Sequence, residues 1–181
     1  MKRIRRIIMV LSVVSILMFA GSLNCRVTAK SLELPIMGEI LMENMSSLAD
    51  MHSDVYKLCL DYAGGKLSVS GMTSDIDLKK IEIDSKIEFL SGLSDDIWAK
   101  HQAASTHERL AWRISHNCVV QMSRAYFSLM GAAFQIEGMG TDVRFSEKWM
   151  RQYEVAILKL DLASVRLDMA GQAWNLLMVQ L

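Results

Sequence analysis

The chain has 181 residues, is 51% hydrophobic, contains one proline, and balances twenty basic against twenty acidic side chains. Five of the basic residues (Lys2, Arg3, Arg5, Arg6 and Arg26) and no acid lie in residues 1–29, so residues 30–181 carry fifteen basic against twenty acidic groups, a net charge of −5. No Lys/Arg cluster remains there to release phosphate counterions, which argues against a nucleic-acid partner.

Residues 1–29 read as a targeting segment. A basic start is followed by an almost unbroken apolar run from Ile7 to Ala20, then by small and polar residues. That order is the one a secretory signal peptide uses. Ala20-Gly21-Ser22 and Val27-Thr28-Ala29 both offer small residues for cleavage. The stretch Ile7 to Cys25 is also just long enough to act as an N-terminal membrane anchor, its basic end toward the cytoplasm. Cys25 would make a membrane tether if lipid-modified, but Asn24 and Ser22 fit the lipobox pattern poorly. Arg5-Arg6 fit ordinary leader charges better than a twin-arginine signal. Residues 30–181 then form a single helical domain, large enough to bury roughly 70% of its unfolded surface.

The first element is predicted over Pro35–Ala63. Proline suits a helix start, where its missing N–H costs nothing, and Gly64-Gly65 suits an end. Leu41, Met45, Leu48, His52, Val55, Cys59 and Tyr62 alternate steps of four and three, a heptad seam. The second element is predicted as a shorter helix over Ser74–Ser91, with Ile76, Lys80, Ile83, Ile87 and Leu90 in step, one of them polar, and Ser74 with Asp77 resembling a capping box. Its competitor is a hairpin pairing Leu67-Ser68-Val69 with Ile81-Glu82-Ile83. The third helix is predicted to begin near Ser94 and to bend or restart at Ser105, where Glu108 completes a second capping box. Its seam is Ala111, Ile114, Cys118, Met122, Ala125, Leu129, Ala132 and Ile136, with one stutter. Gly138-Met139-Gly140-Thr141 is predicted to end it.

The fourth element is predicted over Ser146–Leu181. Its segment KLDLASVRLDM (159–169) alternates as a strand does. The wider window decides otherwise: Trp149, Tyr153, Ala156, Leu160, Ala163, Leu167, Ala170, Trp174, Leu177 and Leu181 keep the four–three step through five heptads, which no strand sustains. The alternation comes from a second seam, Val155, Leu158, Leu162, Val165, Met169, Leu176 and Val179. Two residues along a helix turn about 200°, so this seam lies nearly opposite the first. A rod with two apolar sides is either the centre of a bundle or the contact face for a partner. Val155, Leu158, Leu162, Val165, Met169 and Leu176 are the candidate partner-binding residues. The expected fold is all-α: an exported bundle of three long helices plus a shorter one, with coiled-coil-like heptad packing.

Chemistry-bearing patterns are sparse. There is no Gly-x-Ser-x-Gly, Walker loop, HExxH or Cys-x-x-Cys-His. No paired acid and base fall on one face, so neither catalytic residues nor a resident cofactor is expected, and no metal site. Cys59 and Cys118 both fall on core seams, where an oxidising compartment would allow them to bond or leave them as free thiols. His52 and His107, with eleven methionines after residue 29, leave a second reading open: a helical-bundle carrier of haem, a metal or a lipid-like molecule. The leading expectation is a non-catalytic interaction or assembly protein of the bacterial cell envelope or a secretion apparatus, engaging a protein partner or forming a homo-oligomer.

Overall fold

A computed structural model describes residues 33–181. The targeting segment, Cys25 and the cleavage sites lie outside the described residues.

The described chain is four helices: α1 (Leu34–Ala63), α2 (Val69–Ala103), α3 (Thr106–Thr141) and α4 (Glu147–Gln180). There are no strands among the described residues, which removes the hairpin. All four helices are long, in place of three long and one short. α2 runs unbroken through Gly71 and Gly92, and the break lies at Ala104-Ser105. An interior glycine costs about 1 kcal/mol relative to alanine. Tertiary packing outweighs it here: Ile83, Leu90, Leu93 and Ile97 are buried on either side of Gly92. Ser74 sits inside the helix, and the true N-cap is Ser68, whose hydroxyl accepts from the Gly71 N–H at 3.2 Å.

The caps of α3 and α4 form where the residue types place them. Ser146 Oγ accepts from the Trp149 N–H at 3.2 Å. The Ser105 N–H and hydroxyl both donate to Glu108 Oε2, at 3.3 and 2.8 Å. Ser105→Ala is expected to lower the stability of the domain by about 1 kcal/mol in denaturant unfolding, as cap losses do.

Gly138 and Gly140 do not end α3, which continues to Thr141. They are sites of close approach. A Cβ at Gly140 would stand 2.7 Å from Met72 Cε, and one at Gly138 would stand 2.6 Å from Gln152 Nε2. The real turn is Asp142 to Ser146, where Phe145 takes φ 63°. Its ring meets Trp149 edge-on at 5.3 Å and lies under the Arg144 guanidinium.

α3 is the central helix. It packs most extensively on α4, then on α2, and also touches α1, whereas α2 and α4 lie apart. Its buried positions run Ala111, Ser115, Cys118, Met122, Ala125, Leu129, Ala132, Ile136 and Met139. Ser115 takes the place expected of Ile114 and the stutter disappears. A serine is tolerated there because its hydroxyl donates to the Ala111 carbonyl at 2.9 Å. Trp112, Val119, Tyr126 and Ala133 form a further buried row. A helix with neighbours on three sides must be apolar on three sides, and α3 is.

Candidate functional site: the outward stripe of α4

α4 buries Trp149, Ala156, Leu160, Ala163, Ala170, Ala173 and Leu177 against α1 and α3. The second seam is on the other side. Leu158 is 67% exposed, Leu162 43%, Val165 53%, Met169 39% and Leu176 61%. Val155 is half-buried at the start of the row and Val179 is exposed at its end. The six candidate residues therefore share one face, pointing away from the bundle over a length of roughly 36 Å from Val155 to Val179. α4 is an outer helix, not the core of the bundle, and its second apolar side is uncovered among the described residues. Left in water, each large side chain forgoes roughly 1.5–3 kcal/mol of burial.

The two margins of the stripe carry opposite charge. Glu154, Asp161 and Asp168 lie along one side, Lys159 and Arg166 along the other. The basic margin faces α3. The Lys159 stem lies over Gly131, so that a Cβ there would meet Lys159 Cδ at 2.8 Å, and Arg166 Nη1 donates to Gln121 Oε1 at 3.1 Å. None of these five charges makes an ion pair among the described residues. Elsewhere Lys79, Lys80 and Lys148 each find carboxylates at 2.7–3.3 Å. The order of these charges is set relative to the outward seam, not the inward one.

The structure does not bring Cys59 and Cys118 together. Both are buried free thiols. Cys118 Sγ donates to the Ala170 carbonyl at 3.4 Å, whereas Cys59 lies beside Tyr153. Seventeen residues of α4 separate those levels, roughly 25 Å at 1.5 Å per residue, and a disulfide needs Cα atoms within about 7 Å. Burial pushes the Cys59 thiol up to about 11 and the Cys118 thiol up to about 12. Both should resist iodoacetamide at pH 8 in the folded protein and react fully in guanidinium without reductant. Mass spectrometry of the two peptides checks this; a disulfide-linked peptide would contradict it.

His107 is exposed in the first turn of α3, and the other three histidines serve packing and hydrogen bonding. His52 Nε2 lies 3.0 Å from the Leu160 carbonyl and its ring stacks on Tyr56. His116 Nε2 is 3.1 Å from Ser94 Oγ, and Trp98 stacks on His101 at 4.9 Å beside it. Burial, helped by His101, holds the His116 pKa below its usual value. No three His, Cys, Asp or Glu side chains converge on a metal position among the described residues. No described helix is long and apolar enough to cross a membrane.

One cleft opens between α1 and α4, about 620 Å³, lined by Met42, Met45, Ser46, Leu167, Gly171 and Asn175 among others. Sequence reasoning missed it, since Met42 lies off the α1 seam and its meeting with Gly171 depends on how α1 docks. Two further apolar side chains on α3, Phe127 and Phe134, are also exposed, with Val120 half-buried in line with them; the Lys80 ammonium stands 5.3 Å over the Phe134 ring.

These features describe a four-helix bundle with one charge-margined apolar edge. Comparison of the chain with protein-family models, with curated proteins and with solved structures finds no match.

Proposed function

We propose that this chain is a non-catalytic, exported interaction or assembly protein of the bacterial cell envelope or a secretion apparatus, engaging a protein partner or a second copy through the outward stripe of α4. The observation that carries this reading is the exposure of Leu158, Leu162, Val165, Met169 and Leu176 in one continuous row. Scattered single apolar residues are ordinary on a surface, but a continuous row of this length marks a contact face. The basic-then-apolar leader supports export, and a protein tethered through that segment would present the bundle outside the membrane.

A photo-crosslinking residue at Leu162 of the full chain, in the cells that make it, tests the reading. It should yield a covalent protein adduct, to another protein or to a second copy. The same residue at Leu78, exposed on α2, should yield none. Leu158→Glu with Val165→Glu should abolish the adduct while leaving the circular dichroism of the purified protein unchanged. No adduct from Leu162 would overturn the reading.

The carrier reading keeps one specific observation, the methionine-lined cleft between α1 and α4. A fatty acid held there would raise the thermal midpoint in proportion to the logarithm of its concentration.

A further inference from the structure

We infer that the occupant of the α4 stripe is a second copy of this chain, with the two α4 helices packed side by side, parallel and in register, as a two-stranded coiled coil. The inference rests on the reading of the stripe as a contact face and goes further by naming what covers it.

The outward residues fall on the two inner positions of a heptad. Val155, Leu162, Met169 and Leu176 occupy the first, and Leu158, Val165, Gln172 and Val179 the second, at unbroken steps of three and four. The residue before each first position is Glu154, Asp161, Asp168 or Asn175. The residue after each second position is Lys159, Arg166, Ala173 or Gln180. In a parallel pair, the leading margin of one helix meets the trailing margin of the other, five residues further on. Glu154 then faces Lys159 of the second copy and Asp161 faces Arg166, twice over by the two-fold symmetry. In an antiparallel pair, each margin meets its own kind: acids face acids and bases face bases. The charge order therefore selects the parallel arrangement. It also explains why these groups find no ion-pair partner among the described residues while other lysines of the bundle do.

Gln172 points the same way. It is the one polar member of the eight inner positions. In the parallel, in-register pair it lies opposite its own copy, where two amides satisfy one another. In an antiparallel pair centred on the stripe it would face leucine and lose its hydrogen bonds. A lone buried polar residue fixes register and orientation in coiled coils for this reason.

Size and access agree. Over roughly 36 Å the stripe leaves Leu158, Leu162, Val165, Met169, Leu176 and Val179 between 39% and 79% exposed, the apolar centre of an interface to which the charged margins add surface toward the roughly 800 Å² per partner of a stable pair. The charged margins restrict the apolar strip to the width of two strands. α3 flanks the basic margin at Gly131 and Gln121 and α1 borders the cleft beside Asp168 and Asn175, while the outward row between them stays exposed.

The test uses the full chain with Cys25→Ser, purified and mildly oxidised; Cys59 and Cys118 are buried and do not interfere. Leu162→Cys alone and Gln172→Cys alone should each form a disulfide-linked dimer, since a parallel pair sets each position opposite itself. An antiparallel pair would cross-link only when the two variants are mixed, and that result would overturn the inference. In sedimentation, the chain without added cysteines should dimerise with concentration. Lys159→Glu with Arg166→Glu should weaken the dimer at least tenfold, and adding Glu154→Lys with Asp161→Lys on the same chain should restore it. A chain that stays monomeric at all concentrations also overturns the inference. If Leu162 still captures a different protein in cells, the stripe remains a contact face with another occupant; if it captures nothing, the stripe reading falls as well.

Discussion

Leu160→Glu is expected to unfold the domain, whereas Leu158→Glu, two residues away, should shift the thermal midpoint of the monomer by no more than about 2 °C. Leu160 is fully buried between α4, α1 and α3. A carboxylate there is taken out of water into an apolar core with only the His52 ring beside its backbone, and burying a poorly paired charge costs several kcal/mol after all relaxation. The lost leucine packing adds another 2–5 kcal/mol or so. Together these approach or exceed the roughly 5–15 kcal/mol by which domains of this size are stable. Leu158 is two-thirds exposed, so the glutamate there stays hydrated. The comparison belongs at a dilution where the chain is monomeric, because association would otherwise raise the apparent stability of the unsubstituted protein. Circular dichroism melts of the two variants, side by side, read the result. Equal destabilisation by both would mean that both seams of α4 are internal.

Trp149→Ala should lower unfolding free energy by about 3–5 kcal/mol, the range for deleting a large buried aromatic side chain. Trp149 is 2% exposed at the start of α4. It stacks on Tyr153 with ring centroids 5.8 Å apart and receives the edge of Phe145 at 5.3 Å. It therefore holds the α3–α4 turn as well as the core. Trp149→Phe should cost far less, about 1 kcal/mol, since a ring remains and the indole N–H has no hydrogen-bond partner among the described residues to lose. Trp98→Ala, at a position 47% exposed, should also be mild. Urea midpoints at unchanged slope separate these cases.

Between Ser74 and Ser105 the local sequence does not decide the structure, and the reason is physical. Gly92 and the serines around it are poor helix formers, and Ile81-Glu82-Ile83 alternates like a strand. Local preference there is nearly balanced. What settles it is α3, against which Ile76, Ile83, Leu90 and Ile97 are buried in one row. The exchange of Ile114 for Ser115 in the α3 seam has a similar cause. A seam chosen by hydrophobicity alone takes the isoleucine, but the helix turns by geometry, and a serine bonded to its own backbone fits the inner position.

Periodicity by itself determined that α4 is one helix with two apolar sides, that Ser105 and Ser146 open helices, and which six residues share the outward row. These follow from the 3.6-residue turn and from cap chemistry, which are properties of the local chain. Only the tertiary structure decided which side of α4 is covered. α3 and α4 are both apolar on more than one side, and nothing within either helix says which acquires neighbours all round. The same holds for Cys59 and Cys118: each seam position was legible, but their levels along the bundle, roughly 25 Å apart, depend on how α1 and α3 dock on α4. A periodic pattern records angle around a helix axis; it does not record what stands at that angle.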